Sequence, residues 1–335
     1  MENQLISILI PFKNTSAYLP ECIESIMLQN YQNWEIIAVD DHSSDNSRVI
    51  IENYSSLDVR IKVHTNKGEG IISALRTAYY LSKGEFMTRM DSDDIMNPNK
   101  LNILASALTK HGKGHIAVGG VQYFSDRGIS NGYQRYESWL NKLTAKGDNY
   151  SEIYKECVIP SPCWMVHKED LEECGAFEHN RYPEDYDLTF RFYESGLECI
   201  PCSKVLHRWR DYDSRTSRTS EHYAQNYFLH IKLYYYLKLH HDKNRPLTVW
   251  GAGNKGKSIA RDLIEQKIPF FWLCDNPKKI GKNIYGHELR HYSYLHKLKN
   301  PKSIVTVANE EAQKMIKNFF INLGQHPMVD YYFFC

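Results

Sequence analysis

The chain has almost no net charge. Lys and Arg number 41 and Asp and Glu 40 among 335 residues, so no field of one sign draws in nucleic acid. No apolar run approaches the ~20 residues of a membrane span. Met1-Glu2-Asn3-Gln4 lacks the basic start and apolar stretch of a signal peptide, which leads to the expectation of a cytoplasmic protein. The 8 cysteines are scattered. Cys199-Ile200-Pro201-Cys202 has redox spacing but lies between strand-like segments, and no second pair completes a zinc site, so reduced thiols are expected. Tyr is abundant instead, at 24 residues within an aromatic share of 13%. Aromatic-rich surfaces suit sugar rings and bases, although most such side chains serve cores and rims.

Apolar runs alternate with helical periods. Residues 5–10 are apolar except for Ser7 and end at Pro11, as suits a strand buried on both faces. A helix is expected over 16–29, a strand over 34–39 ending at Asp40-Asp41, and a helix over 46–54 capped by Asp45. A strand over 59–64, a helix from Gly68 to Ser82 and a strand over 86–90 follow. This alternation predicts an α/β fold with a doubly wound, mostly parallel sheet. Ligands in such sheets bind beyond the carboxyl ends of the strands. Pro11, Asp41, Asn66 and Asp91 sit at or just past those ends and should meet in one crevice.

Further on, a helix is read over 101–110 and one strand over 116–124. Residues 125–149, polar and weakly patterned, read as a loop over the crevice. A strand near 164–166, a short helix over 168–174 and a helix opening at Glu184-Asp185 come next, then a basic strand over 205–212 carrying His207, Arg208 and Arg210. Residues 221–241 read as one Tyr- and Leu-rich helix. The pattern restarts after 242–246, with a strand over 247–250, Gly251-x-Gly253-x-x-Gly256, and a strand over 270–274 ending at Asp275. The expected division is a first domain over 1–220, a connecting helix and linker over 221–245, and a smaller Rossmann-like domain over 246–335.

The chain is organised around Arg89-Met90-Asp91-Ser92-Asp93-Asp94. Carboxylates this close raise each other's pKa unless something positive is present, and a hard divalent cation prefers such oxygens. If the strand ran on, Asp91 and Asp93 would share one face and Ser92 would take the other. The alternative is an acidic turn in which Asp94 or Asn97 caps the helix from Pro98.

Ile6-Ser7-Ile8-Leu9-Ile10-Pro11, Glu35-Ile36-Ile37-Ala38-Val39-Asp40-Asp41, the Arg89–Asp94 stretch and Glu184-Asp185-Tyr186-Asp187-Leu188 stand in this order. Over residues 5 to about 218 the chain resembles the family 2 glycosyltransferases, which have the GT-A fold. The resemblance implies inverting transfer from a nucleotide diphosphate sugar, with a UDP-sugar expected, to a hydroxyl acceptor in polysaccharide or glycoconjugate synthesis. It implies that Pro11, Lys13 and Asp41 line the base pocket. Asn66, Arg76, Asp91, Ser92 and Arg210 would lie along the nucleotide sugar. Family members often carry Tyr at the position of Lys13 and Asn at that of Arg76. Asp93 would bind Mn²⁺ or Mg²⁺, with Asp91 and His207 contributing. Asp185 would be the general base, with Glu184 orienting it. The implied acceptor is a saccharide, free or lipid-linked. Residues 231–241 could touch a membrane, although a packed helix explains them as well, and a homodimer is compatible with the second domain. A nucleotide-binding scaffold without turnover is the contrasting reading.

Gly251, Gly253 and Gly256 follow a strand and open a helix, where glycines let backbone N–H groups approach a phosphate. Asp275 stands where a ribose-binding acid would. This second domain resembles small nucleotide- or sugar-nucleotide-binding domains found beside some bacterial sugar-modifying enzymes. Packing or dimerisation explains its glycines equally well.

Overall fold

The computed structural model describes residues 4–213, 215, 218 and 228–335. It divides into two compact units. The first comprises Met1–Tyr150 and Val158–Tyr223, and the second Ser151–Cys157 and Ala224–Cys335. No helix among the described residues is long and apolar enough to cross a membrane.

The first unit alternates strand and helix from its start: β1 (Ile6–Phe12), α1 (Leu19–Met27), β2 (Trp34–Asp40), α2 (Ser47–Leu57), β3 (Ile61–Thr65), α3 (Gly70–Leu81) and β4 (Phe86–Arg89). β1, β2 and β4 are buried at every position, so their apolar runs show no alternation. β5 (Ile95–Met96), α4 (Lys100–His111), β6 (His115–Val118), β7 (Gly120–Phe124), α5 (Asn131–Lys146), β8 (Trp164–His167), α6 (Lys168–Glu173), α7 (Glu184–Glu194), β9 (Glu198–Ile200) and β10 (Val205–Arg210) complete it. The main sheet has seven strands in the order β3-β2-β1-β4-β8-β6-β9. β8 runs antiparallel to both neighbours, and the remaining pairs are parallel. A second sheet of three strands runs β5-β10-β7.

Two sequence expectations fail here. The strand read over 116–124 is two strands in two sheets, broken at Gly119. A Cβ on Gly119 would stand 2.8 Å from Cys163 Sγ and from Leu206 Cδ1, so glycine permits the crossing between sheets. The loop read over 125–149 contains α5. Leu140, Leu143 and Thr144 of this helix are buried, and Tyr133, Tyr136 and Trp139 pack half-buried against the same core, a helical spacing set among many polar residues. Its caps were readable: Ser130 accepts from Tyr133 N, and Gly147 closes the helix at φ 68°. α5 also completes the edge of β7. Asn141 Oδ1 accepts from Val121 N and Asn141 Nδ2 donates to Val121 O, each at 2.8 Å, and Glu137 accepts from Tyr123 N at 2.6 Å. An edge strand's open backbone groups are thus covered.

The second unit holds α8 (Leu229–Leu239), β11 (Leu247–Trp250), α9 (Asn254–Glu265), β12 (Phe271–Cys274), β13 (Asn283–Ile284), β14 (His287–His291), β15 (Lys302–Val305), α10 (Glu310–Asn322) and β16 (Tyr331–Phe333). Its six strands run β13-β14-β12-β11-β15-β16, all parallel except for the β13–β14 pair. α8 covers only part of the helix read over 221–241, of which 221–227 lie outside the described residues.

Candidate active site

The carboxyl ends of β1 to β4 bring the first set of groups together. Asp41, just past β2, is 6% exposed. Its Oδ1 accepts from Asn66 Nδ2 at 2.7 Å and from Gly70 N at 2.9 Å, and its Oδ2 faces Lys13 Nζ at 3.3 Å. The side-chain oxygen of Asn66, past β3, accepts in turn from Gly68 N and Ser73 Oγ. Gly70 has φ 83°, and a Cβ there would stand 3.1 Å from Tyr182 Oη. Pro11 lies inside β1, buried and paired with Val39. Lys13, close in sequence to Pro11, forms one hydrogen-bonded cluster with Asp41, Asn66 and Gly70 at the strand ends. Arg76 does not join it. Its guanidinium donates to the carbonyls of Phe177 and Glu178 and to Asn180 Oδ1, and it fastens that loop instead of facing a nucleotide.

Beyond β4 the chain leaves the sheet at Arg89, so Asp91 to Asp94 form a turn closed by Asp94 N on Asp91 O at 3.2 Å. The shared strand face expected for Asp91 and Asp93 is corrected accordingly. Nor does Asp94 or Asn97 stand at the cap of α4, the alternative for this stretch, since Asn99 is the N-cap residue. Asp94 is fully buried and accepts from Arg210 N at 2.8 Å and from His207 Nε2 at 2.9 Å. His207 is also fully buried, and its Nδ1 lies 3.3 Å from Lys100 Nζ. A single tautomer satisfies both contacts, with Nε2–H donating to Asp94 and Nδ1 accepting from the ammonium. Burial and then Lys100 hold the imidazole well below its ordinary pKa. With both nitrogens engaged, His207 is not available as the metal ligand expected of it. Arg210 likewise serves the turn, donating from Nε to Asp93 O at 2.7 Å and pairing with Glu21; it does not project as a phosphate clamp. Ser92 is buried.

Asp91 and Asp93 remain partly exposed. Burial and then the charge of Asp94 push the Asp93 carboxyl up to about 7, while Arg215 opposes the rise. Asp93 Oδ2 accepts from Tyr212 Oη at 2.7 Å. Arg215 sets its guanidinium over the Trp209 ring, 5.2 Å from the centroid. The donors left partly exposed at this turn are the carboxylate oxygens of Asp91 and Asp93, a type that fits a hard divalent cation. Among the described residues no three acidic, histidine or cysteine side chains form a ready cage. Mg²⁺-type sites commonly use one or two carboxylates and take the rest of their shell from substrate phosphates and water.

The second acidic set opens α7. Asp187 is a structural acid, 1% exposed and held by Arg181 and Arg191, each at 2.8 Å. Glu184 and Asp185 differ from it. Glu184 is 7% exposed, its Oε1 accepts from Arg89 Nη1 at 2.9 Å, and its Oε2 has no hydrogen-bond partner among the described residues. Asp185 accepts from Tyr186 N at 2.8 Å. Burial first, and then Glu184, hold its carboxyl well above the usual carboxylate range, against the pull of Arg89. Arg89 connects the two sets, because its Nη2 also lies 2.9 Å from Asp91 Oδ1. Sequence reasoning quoted Arg89 within its motif and gave it no role. It also passed over Tyr212, whose contact with Asp93 has no local signal.

In the second unit, two of the three motif glycines have packing reasons. A Cβ on Gly256 would stand 2.0 Å from Gly251 O, and one on Gly251, at φ 131°, would stand 2.3 Å from Thr306 Oγ1. Gly253 is exposed with open space above it, and Asp275 is exposed past β12.

Comparison with known proteins gives this geometry a family. The model for Glycosyl transferase family 2 matches residues 7–175. Over 226 residues the chain is 40% identical to the glycosyltransferase GlyG of Streptococcus pneumoniae, covering 65% of this chain and 74% of that one. Over 219 residues it is 38% identical to WfgD of Escherichia coli, a UDP-Glc:α-D-GlcNAc-diphosphoundecaprenol β-1,3-glucosyltransferase, covering 63% and 78%. Among solved structures, the mannosyltransferase PcManGT from Pyrobaculum calidifontis, in complex with GDP-Man and Mn²⁺, shares the fold with a TM-score of 0.53 over 78% of this chain and 75% of that one, at 16% identity. The chain therefore belongs to glycosyltransferase family 2 and is a glycosyltransferase of the GT-A fold.

Proposed function

We propose that this enzyme moves a sugar from a UDP-sugar to a hydroxyl of a saccharide acceptor, with inversion at the anomeric carbon, in polysaccharide or glycoconjugate synthesis. One observation carries the reading: two acidic sets, Asp91–Asp93 and Glu184–Asp185, meet through the buried Arg89. A buried carboxylate whose pKa is raised towards the working pH suits a general base.

Asp41, with Lys13 and Asn66 around it, receives the base edge, its carboxylate accepting the uracil N–H. Asp185 takes the proton of the acceptor hydroxyl as that oxygen attacks the anomeric carbon. The new C–O bond forms on the face opposite the diphosphate, the bond to the diphosphate oxygen breaks, and its electron pair leaves with UDP. The raised pKa lets Asp185 accept a proton near neutral pH. Asp93, with Asp91, would hold Mn²⁺ or Mg²⁺, and that ion supplies charge neutralisation for the diphosphate leaving group. WfgD is named for a lipid-linked acceptor, and a lipid-linked saccharide is accordingly the proposed acceptor class here, reached by peripheral contact with a membrane.

The test is a donor screen with uridine, guanosine and thymidine diphosphate sugars, with and without Mn²⁺, reading thermal stabilisation and diphosphate release. A uridine donor should stabilise the protein in a metal-dependent way, and Asp93→Ala should abolish that effect. Preference for a guanosine or thymidine donor would overturn the donor assignment. Stabilisation by none of them would overturn the transfer reading.

A further inference from the structure

We propose that Arg89 is a positioning residue. One buried guanidinium holds Asp91 on the donor side and Glu184 on the acceptor side, and through Glu184 it fixes where Asp185 stands. The inference rests on the reading of Asp185 as the base.

Arg89 is the last residue of β4, paired with Leu9 of β1 and 5% exposed. Its Nε and Nη2 lie 3.1 Å and 2.9 Å from Asp91 Oδ1, and its Nη1 lies 2.9 Å from Glu184 Oε1. The guanidinium thus presents one edge to each acid, across 95 residues of sequence. Glu184 Oε2 has no partner among the described residues, so the bond to Arg89 is what orients that carboxylate. Glu184 and Asp185 are adjacent in the first turn of α7, and the same turn is secured by Arg181 and Arg191 on Asp187. Arg89 supplies a second restraint on that turn, through Glu184. The positive charge also favours the ionised form of Asp185.

The arrangement depends on guanidinium geometry. A planar fork reaches two carboxylates in fixed directions, whereas an ammonium is a point charge that cannot hold both edges. Arg89→Lys therefore keeps a cation beside Asp91 and loses the span.

The experiment measures UDP affinity in the presence of Mn²⁺, and kcat from UDP release, for the full chain carrying Arg89→Lys, Glu184→Ala or both. Misplacing a reacting group by an ångström costs on the order of 10²-fold in rate. Arg89→Lys should lower kcat by that order with UDP affinity nearly held. The double variant should be no slower than the slower single one, because both changes remove the same restraint. Losses that multiply in the double variant, or UDP affinity that falls in step with kcat, would overturn the proposal. If Arg89→Lys fails a thermal-unfolding check, Glu184→Ala decides alone: a reduced kcat with retained UDP affinity supports the role, and an unchanged kcat removes it. Asp185→Asn is measured alongside. Transfer that survives it removes the base assignment, a result distinct from multiplying losses, which remove the role of Arg89 and leave the base in place.

Discussion

The two units each end parallel strands in a turn followed by a helix, yet their turns are built for different purposes. At the carboxyl ends of β2, β3 and β4, polar side chains face one another: Asp41 with Asn66, Asp91 with Arg89, Arg89 with Glu184. At the end of β11 the backbone itself is packed. Trp272 Nε1 donates to Gly251 O and Lys279 Nζ to Ala252 O, each at 2.8 Å, and Gly256 lets α9 approach the strand. A doubly wound sheet supplies the location for a ligand, but its chemistry comes from the side chains placed there. A glycine pattern alone does not separate phosphate binding from close packing.

The largest effects should come from the first turn. Asp93→Ala should reduce turnover by roughly 10³-fold or more and remove metal-dependent UDP binding, as expected for loss of the charge that holds the leaving group. Asp185→Asn should lower kcat by roughly 10²–10⁴-fold while UDP binding is kept. In the parent enzyme kcat should rise with pH along a limb set well above the usual carboxylate range, because Asp185 must be ionised to act and its pKa is raised. A pH-independent rate across the neutral range would contradict its role.

The second turn should respond in stability. Gly256→Ala forces a Cβ to 2.0 Å from Gly251 O and should cost about 1–3 kcal/mol, as overpacking does, read as a lowered denaturant midpoint for the second unit. A tolerated Gly256→Ala would undo the packing account of the motif.

A smaller effect distinguishes the acids of the first turn. The folded-state pKa of Asp93 is about 7 against an ordinary value of 3.8, so between these values the folded chain binds the extra proton and stability falls as pH rises. Lowering pH from 8 to 6 in the absence of metal should therefore add about 1 kcal/mol from this group, and Asp93→Asn should make the slope shallower by about that amount, leaving the part that the raised carboxyls of Asp94 and Asp185 contribute. The smallest change expected is that of Gly253→Ala. Nothing lies within 4 Å of a Cβ there, so stability should shift by less than about 0.5 kcal/mol. A large shift would mean that the open face of that turn is not open.

Much of the fold was legible because burial on both faces leaves a plain signature. β1, β2 and β4 are short apolar runs with turn residues at their ends, and the helices between them carry a helical period. α5 is less legible because polar residues dominate its composition, although Tyr133, Tyr136, Leu140 and Leu143 keep a helical spacing and Ser130 and Gly147 mark its ends. The strand over 116–124 was read as one because hydrophobicity does not show a change of sheet; the clash of any side chain at Gly119 with Leu206 does. For the site, Asp41, Asn66, Asp91, Asp93 and Asp185 could be placed at strand and helix ends from position alone. His207, Arg76 and Arg210 were misassigned because their partners, Asp94, the 177–180 loop and Glu21, are remote in sequence.

The sequence by itself determined the alternation of strands and helices, the end of the sheet at which ligands gather and the acid-rich turn after β4, since these follow from local periodicity and residue type. Only the tertiary structure decided which cations and acids pair. That choice turns on distances of about 3 Å between residues as far apart as Arg89 and Glu184, and a side chain's role depends on the partner that packing brings to it.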